Sequence, residues 1–271
     1  VTKVVIEPSK GWKVVDFEEL WRYKDLLYFL TVRGIKARYA QSILGVGWAI
    51  IQPLFTTLVF TVVFGGLAKV DSDGMPYMLF SYLALWPWNY FSGTLSESAN
   101  SLVANAGMIT KVYFPRLILP LSTILSKLLD FLISFVVLLA MLIYFQVAPG
   151  FQVIFLPLLL VQLLGCSLGI GMILSAMAVQ YRDIKYALGF IVQLLLYTAP
   201  VVYSTTAVPE QYQFFYSLNP MVGVIEGVRA MFLDRPIPWE WVWPGSMVAI
   251  VLFIFGLFYF RRMEKLFADV A

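Results

Sequence analysis

Few side chains in this 271-residue sequence could carry chemistry, and their types narrow what that chemistry could be. There is no histidine, and the single cysteine, Cys166, lies inside an apolar run. His-based acid–base catalysis, a Ser-His-Asp triad, an intrachain disulfide and a thiolate metal cluster are therefore not expected. No G-x-x-x-x-G-K-[ST] segment occurs, so no P-loop of its own is expected, and no carboxylate pair is placed for glycosyl chemistry. What remains is aromatic and cationic. Tyr77, Phe80, Tyr82, Trp86, Trp88, Tyr90 and Phe91 fall within fifteen residues. Flat aromatic faces can stack on sugar rings, although the same residues also serve as interface belts and as core. Lys127 and Asp130 are spaced to pair on one helix face, and charges within an apolar span are functional suspects by default. Here a pair at the inner interface, with Lys127 snorkelling, is the favoured expectation.

The elements that must position these residues are membrane spans. The chain is 61% hydrophobic, 17% aromatic and only 13% charged, too apolar to surround one globular core with a charged surface. The low charge also argues against a nucleic-acid partner. Six stretches approach the ~20 apolar residues that a crossing helix needs: 44–68, 77–95, 117–146, 151–179, 186–203 and 241–260. The fold class expected is all-α, a polytopic membrane protein of six transmembrane helices. Nothing before Leu44 is an apolar run of signal-peptide type, so a cleaved export signal is not expected. Fifteen Lys and Arg residues fall on the side of the amino end and three (Lys69, Arg229 and Arg235) on the other. By the positive-inside rule both termini are cytoplasmic.

Three segments read as more than spans or tight links. Residues 16–41 form an amphipathic helix lying against the membrane, opened by Asp16 and Glu19 as a variant capping box. Phe17, Leu20, Trp21, Leu27, Tyr28, Thr31 and Ile35 define its apolar face, and Glu18–Arg22 is an i,i+4 pair. The loop 96–116 is long for a connection and carries its own helix pattern from Ser98 to Gly107, which suggests a contact surface. In 204–240, Pro209 and Asn219-Pro220 mark two helix starts, with Glu226 and Arg229 away from the centre of an apolar face. These two helices are expected in the outer leaflet or re-entering the membrane, as an outer plug or a lid. Gly165, Ser167, Gly169 and Gly171 form a small-residue face suited to close helix packing, within the chain or between copies.

Several segments together carry a family resemblance. They are Arg38-Tyr-Ala-Gln-Ser-Ile-Leu44-Gly45-Val-Gly-Trp48 continuing to Gln52-Pro53-Leu54, Lys111-Val-Tyr-Phe-Pro115-Arg116, Tyr181-Arg182-Asp183, Pro200-Val-Val-Tyr203, and Asn219-Pro220 with Arg229. From about Phe17 to Phe267 the chain resembles the membrane-spanning permease subunit of polysaccharide-exporting ABC transporters of the ABC-2 superfamily. Gly34 departs from the pattern, because relatives often carry an acidic residue there.

The resemblance implies a homodimeric permease in the bacterial inner membrane, paired with two copies of a cytoplasmic ABC ATPase that alone binds ATP and magnesium. The permease itself would have no catalytic residue, cofactor or metal; besides membrane lipids, its other partner would be a lipid-linked glycan such as O-antigen. Residues 1–43 would hold the cytoplasmic gate helix, 44–260 the six-span permease domain, and 261–271 a cytoplasmic tail. Ser98, Asn100, Ser101, Asn105, Gly107 and Lys111 would couple to the ATPase. Arg33, Lys36, Arg38, Leu44 and Gly45 would belong to the gate and meet the lipid pyrophosphate, for which cationic donors are suited, Lys36 only as a point charge. Phe55, Trp86, Trp88, Tyr90 and Tyr197 would line the glycan path, and Asn219, Pro220, Glu226 and Arg229 would form the external gate. The rival expectations are an ABC-2 permease exporting a drug or lipid, and a membrane enzyme or scaffold without transport.

Overall fold

A computed structural model of the chain describes residues 17–40, 42–264 and 267, and every regular element among them is helical. Asp16, half of the expected capping box, lies outside the described residues. Helix α1 (Phe17–Arg22) and helix α2 (Lys24–Tyr39) are separated by a break at Tyr23. A 3₁₀ turn at Gly45–Gly47 leads into α3 (Trp48–Phe60), which continues as a π-helical segment, Thr61–Leu67. Then follow α4 (Tyr77–Ala104), the four-residue α5 (Ala106–Ile109), α6 (Ile118–Tyr144) and α7 (Leu156–Gln180). Next come α8 (Ile184–Thr198), α9 (Glu210–Ser217), α10 (Pro220–Phe232) and α11 (Trp239–Glu264).

Among the described residues, four helical stretches are long and apolar enough to cross a membrane: Gly45–Leu67, Ile118–Tyr144, Phe151–Gln180 and Trp239–Glu264. They coincide with four of the six expected spans. The other two behave differently. Helix α4 has 28 residues but is interspersed with Ser, Asn and Thr, and it runs past the expected end at Leu95. Its polar side chains remain helical because they bond back to the preceding turn: Thr94 to the Tyr90 carbonyl (2.6 Å), Ser96 to Ser92 (3.0 Å) and Ser101 to Ser98 (2.7 Å). Helix α8 has 15 residues, ~22 Å of helix at 1.5 Å per residue. It stops at Thr198 because Pro200 pushes Ala199 into an extended conformation (φ −105°, ψ 151°).

Helix α4 is the hub, packing against α3, α6, α7, α8 and α10. The main core gathers around it, with Leu79, Tyr82, Leu83, Leu138, Leu163 and Phe232 among its members. Glycines set the closest approaches. A Cβ on Gly169 of α7 would lie 2.6 Å from the Leu252 carbonyl oxygen of α11, and one on Gly256 would collide with the Gly169 backbone. A Cβ on Gly171 would meet Ser98 Oγ of α4 at 3.0 Å. The small-residue face of α7 is thus used, at Gly169 and Gly171, for packing inside the chain.

Helix α10 is enclosed: all of its residues except Glu226 are buried, and it packs on α4, α7 and α11. Gly223 and Gly227 permit this: a Cβ on Gly223 would sit 2.7 Å from the Trp241 carbonyl oxygen, and one on Gly227 2.5 Å from a Leu159 methyl. The outer faces of α3 and α8 stay apolar and open, with Phe55, Leu58, Val62 and Leu67 on one stretch and Tyr186, Phe190, Leu194 and Tyr197 on the other.

Candidate functional site

The polar chemistry concentrates at two places. At one end of the bundle, α2 lies along α6 and faces α4, and four charges meet there. Arg38 of α2 donates to Glu97 Oε2 of α4 at 2.6 Å and to Asp130 Oδ2 of α6 at 2.9 Å. Lys127 of α6 reaches Glu97 Oε1 at 2.6 Å and Asp130 Oδ2 at 3.5 Å, its stem passing over Gly93 of α4. Tyr39 adds a hydroxyl donated to Asp130. Two cations and two carboxylates, all partly shielded, therefore join three helices. Burial works against the Arg38 charge, but Glu97 and Asp130 outweigh it and leave its pKa raised. Burial, reinforced by the Asp130 bond, pushes the Tyr39 phenol up to about 12, so it remains a donor at neutral pH.

Sequence reasoning paired Lys127 with Asp130 but missed Arg38 and Glu97 as members. Arg38 is separated from Glu97 by 59 residues and from Asp130 by 92, a distance that no local periodicity spans. Arg33 is exposed and donates to Asn105 Oδ1 at 2.5 Å, whereas Lys36 is exposed and makes no ion pair among the described residues. Gly34 lies where a Cβ would touch Ser126 Cβ at 3.3 Å, so the lack of a side chain lets α2 approach α6. Between α2, α4 and α6 a cleft of about 400 Å³ remains, lined by Arg33, Glu97, Asn100, Asn105, Ser122 and Ser126 among others. Leu44 is exposed, and Gly45 takes a left-handed conformation (φ +49°) at the turn from α2 into α3. That conformation favours glycine at this position.

The apolar residues of α1 and α2 divide: Leu20 and Leu27, with Tyr23 and Leu30, pack on the neighbouring cluster, whereas Phe17, Trp21 and Tyr28 are exposed. The Glu18–Arg22 pair forms at 2.7 Å.

The candidate coupling residues divide. Ser98 and Ser101 are buried within the continuous α4, Ser98 against Gly171, so they are packing residues and not an exposed surface. The helix pattern from Ser98 to Gly107 resolves into the end of α4, a break at Asn105, and the short α5. Asn100, Gly107 and Lys111 are exposed, as are Val103, Val112 and Tyr113. Tyr113 ties this surface to α1 by donating to Glu19 Oε1 at 3.1 Å, and Tyr23 donates to the Tyr113 carbonyl at 3.3 Å. Partial burial, with Glu19 nearby, raises the Tyr113 pKa. Arg116 bonds to Glu264 at the end of α11.

At the opposite end of the bundle lies a buried cation. Asn219 caps α10 through its side chain, accepting from the Met221 N–H at 3.1 Å, and Pro220 opens the helix. Arg229 is 3% exposed, pairs with Glu226 at 2.8 Å, and places its guanidinium 3.5 Å from the Phe80 ring centroid. It also donates to the carbonyls of Val201 (3.3 Å) and Phe80 (3.4 Å). One side chain thus fastens α10 to the start of α4 and to the turn after α8.

The aromatic candidates separate by exposure. Trp86 is stacked on Phe131 (centroids 4.4 Å, planes 14° apart) and donates its indole N–H to the Phe131 carbonyl at 3.0 Å. Tyr90 donates to the Ile124 carbonyl at 3.2 Å, and Trp88 packs against Phe91. All three are at most 5% exposed. The rings of Trp86 and Tyr90 hold α4 against α6 as part of the core, whereas Trp88, also buried, lines an apolar cavity of about 410 Å³ together with Phe91, Cys166, Leu195 and Tyr216. Phe55 and Tyr197 are more than half exposed, on the open faces of α3 and α8.

With this geometry described, similarity to known proteins gives the context. The chain is 28% identical over 247 residues to the O-antigen export system permease protein RfbA of Klebsiella pneumoniae, covering 91% of this chain and 95% of that protein. It is 28% identical over 222 residues to the RfbA of Myxococcus xanthus, covering 81% and 85% respectively. To the polysialic acid transport protein KpsM of Escherichia coli it is 26% identical over 245 residues, covering 87% and 92%. The ABC-2 type transporter family matches residues 25–233, from α2 to the residue after α10, and thus takes in both the charge cluster and the buried Arg229. An all-helical, multi-pass membrane chain matched over that length belongs to the ABC-2 type transporter family.

Proposed function

We propose that this protein is the membrane-spanning half of an ATP-driven exporter that carries a lipid-linked cell-surface polysaccharide across the bacterial inner membrane. The observation that carries the proposal is near full-length similarity to an O-antigen export permease and to a polysialic acid transport protein, both named for a polysaccharide cargo. Two copies form the pathway, each with a cytoplasmic ABC ATPase, and both termini are cytoplasmic. Helices α4 and α8 serve as the second and fifth spans. The open apolar faces of α3 and α8 support a second copy, or lipid, against them. The exposed surface from Val103 to Tyr113 meets the ATPase, α2 guards the cytoplasmic entrance, and α10 plugs the external end. Lys36 is exposed for a phosphate contact, while Arg33 and Arg38 already have protein partners. Phe55 and Tyr197 are the aromatic faces open to a passing sugar.

Deleting the gene in its source bacterium tests this reading. A polysaccharide should disappear from the cell surface and accumulate on its lipid carrier at the cytoplasmic face. Unchanged surface polysaccharide together with an altered drug-resistance or lipid profile would assign the chain to drug or lipid export.

A further inference from the structure

Helix α2 is attached to the bundle in an unusual manner. Of its sixteen residues one, Leu30, is buried. It leans on α6, with Gly34 against Ser126, but toward α4 it leaves the polar cleft of about 400 Å³ open. Two arginines bridge that cleft. Arg33 reaches Asn105 at 2.5 Å, and Arg38 reaches Glu97 at 2.6 Å and Asp130 at 2.9 Å. Separating α2 from the bundle would uncover the face that carries Leu26, Leu27 and Leu30, of which Leu30 alone is fully buried. It would exchange charged hydrogen bonds, already beside a polar cleft, for bonds to water. Ion pairs of this kind add little net stability but fix one arrangement in preference to another. Weakly buried elements of this sort are the ones that open locally.

The position of Asn105 supplies the link to the rest of the chain. It ends α4 and begins α5, and its side-chain amide also donates to the Ser101 carbonyl at 2.7 Å. The exposed surface from Val103 to Tyr113 surrounds it. Any displacement of α5 thus falls first on the Arg33–Asn105 bond, and then, along α4, on Glu97 and Arg38.

We propose that Arg33–Asn105 and the Arg38–Glu97–Lys127–Asp130 cluster form a latch that holds α2 closed against α4 and α6, and that movement of α5 releases it. The latch rests on reading the chain as the pore half of an ATP-driven exporter. It assigns Arg33 and Arg38 to holding the helix and not to holding cargo.

The test uses the complete permease–ATPase complex in lipid nanodiscs. Gly34→Cys with Ser126→Cys places two thiols at a Cβ separation near that of a disulfide, about 3.5–4.5 Å, and the native Cys166 is buried away from them. Oxidising this pair locks α2 shut. Cargo-stimulated ATP hydrolysis should fall about tenfold or more and recover on reduction, a change of about 1.4 kcal/mol in barrier per tenfold. A fully cross-linked complex with unchanged stimulation would overturn the latch. Arg38→Gln, in the opposite sense, should raise ATP hydrolysis without cargo while the complex stays assembled. Unchanged cargo-free hydrolysis in this variant would also overturn the latch, and the Arg38→Gln result decides alone if the reduced cysteine pair is inactive. A wild-type complex that hydrolyses no ATP defeats the exporter reading itself, and the latch with it.

Discussion

At the scale of single residues, exposure separates side chains whose types are identical. Trp86 and Phe55 are both aromatic and both on helices expected in the membrane, yet one is stacked in the core and the other open. Truncating a fully packed Trp typically costs about 3–5 kcal/mol. Trp86→Ala should therefore lower the melting temperature of the detergent-solubilised protein and its yield together. Phe55→Ala and Tyr197→Ala should leave the melting temperature within a few degrees while slowing polysaccharide export, measured as the rate at which labelled glycan reaches the surface. Arg229 poses a different problem. Removing one partner of a buried ion pair leaves the other uncompensated, at a cost of about 3–5 kcal/mol. Arg229→Ala should unfold or mislocalise the protein, and Arg229→Met combined with Glu226→Gln should recover much of the loss. If the double variant melts no higher than Arg229→Ala, the pair is not what Arg229 contributes.

At the scale of elements, the close approach of α7 and α11 depends on an absence of side chains. Gly256→Val would drive a branched side chain into the Gly169 backbone and push the two helices apart. The expected result is loss of monodisperse protein in size-exclusion chromatography, whereas Gly165→Ala, with nothing within 4 Å, should be tolerated. The exposed surface after α4 makes another prediction. Lys111→Glu with Val112→Asp should weaken co-purification of the ATPase, with no change in melting temperature, because both side chains are open to solvent. How much of these elements the sequence discloses follows from what a pattern can report. Hydropathy located the four long apolar helices closely, and Asn219-Pro220 marked the start of α10 through a cap whose geometry is local. The end of α4 was missed because Ser and Asn suggest a loop until their side chains are seen bonding back to the helix. The aromatic run of α4 could not be oriented, since belt, core and lining share one composition. The charge cluster was only half legible, because Lys127 and Asp130 are neighbours on one turn whereas Arg38 and Glu97 arrive from other helices.

At the scale of the whole molecule, polarity lies at the two ends of an apolar bundle. One end carries the cleft, the charge cluster and the exposed surface beside α5. The other carries a cation buried under α10. In the proposed orientation these are the cytoplasmic entrance and the external exit, joined by α4, whose first turn contacts Arg229 and whose last turns contact Arg38 and Arg33. In the proposed exporter a second copy completes the path and an ATPase supplies the energy. The most direct measurement is reconstitution of the permease with its ATPase in proteoliposomes, following a lipid-linked polysaccharide labelled on the ATP side. The account predicts that ATP moves the glycan to the opposite face and that the glycan stimulates hydrolysis. ATP hydrolysis that carries a drug or a simple lipid across, and leaves the glycan where it began, would contradict it.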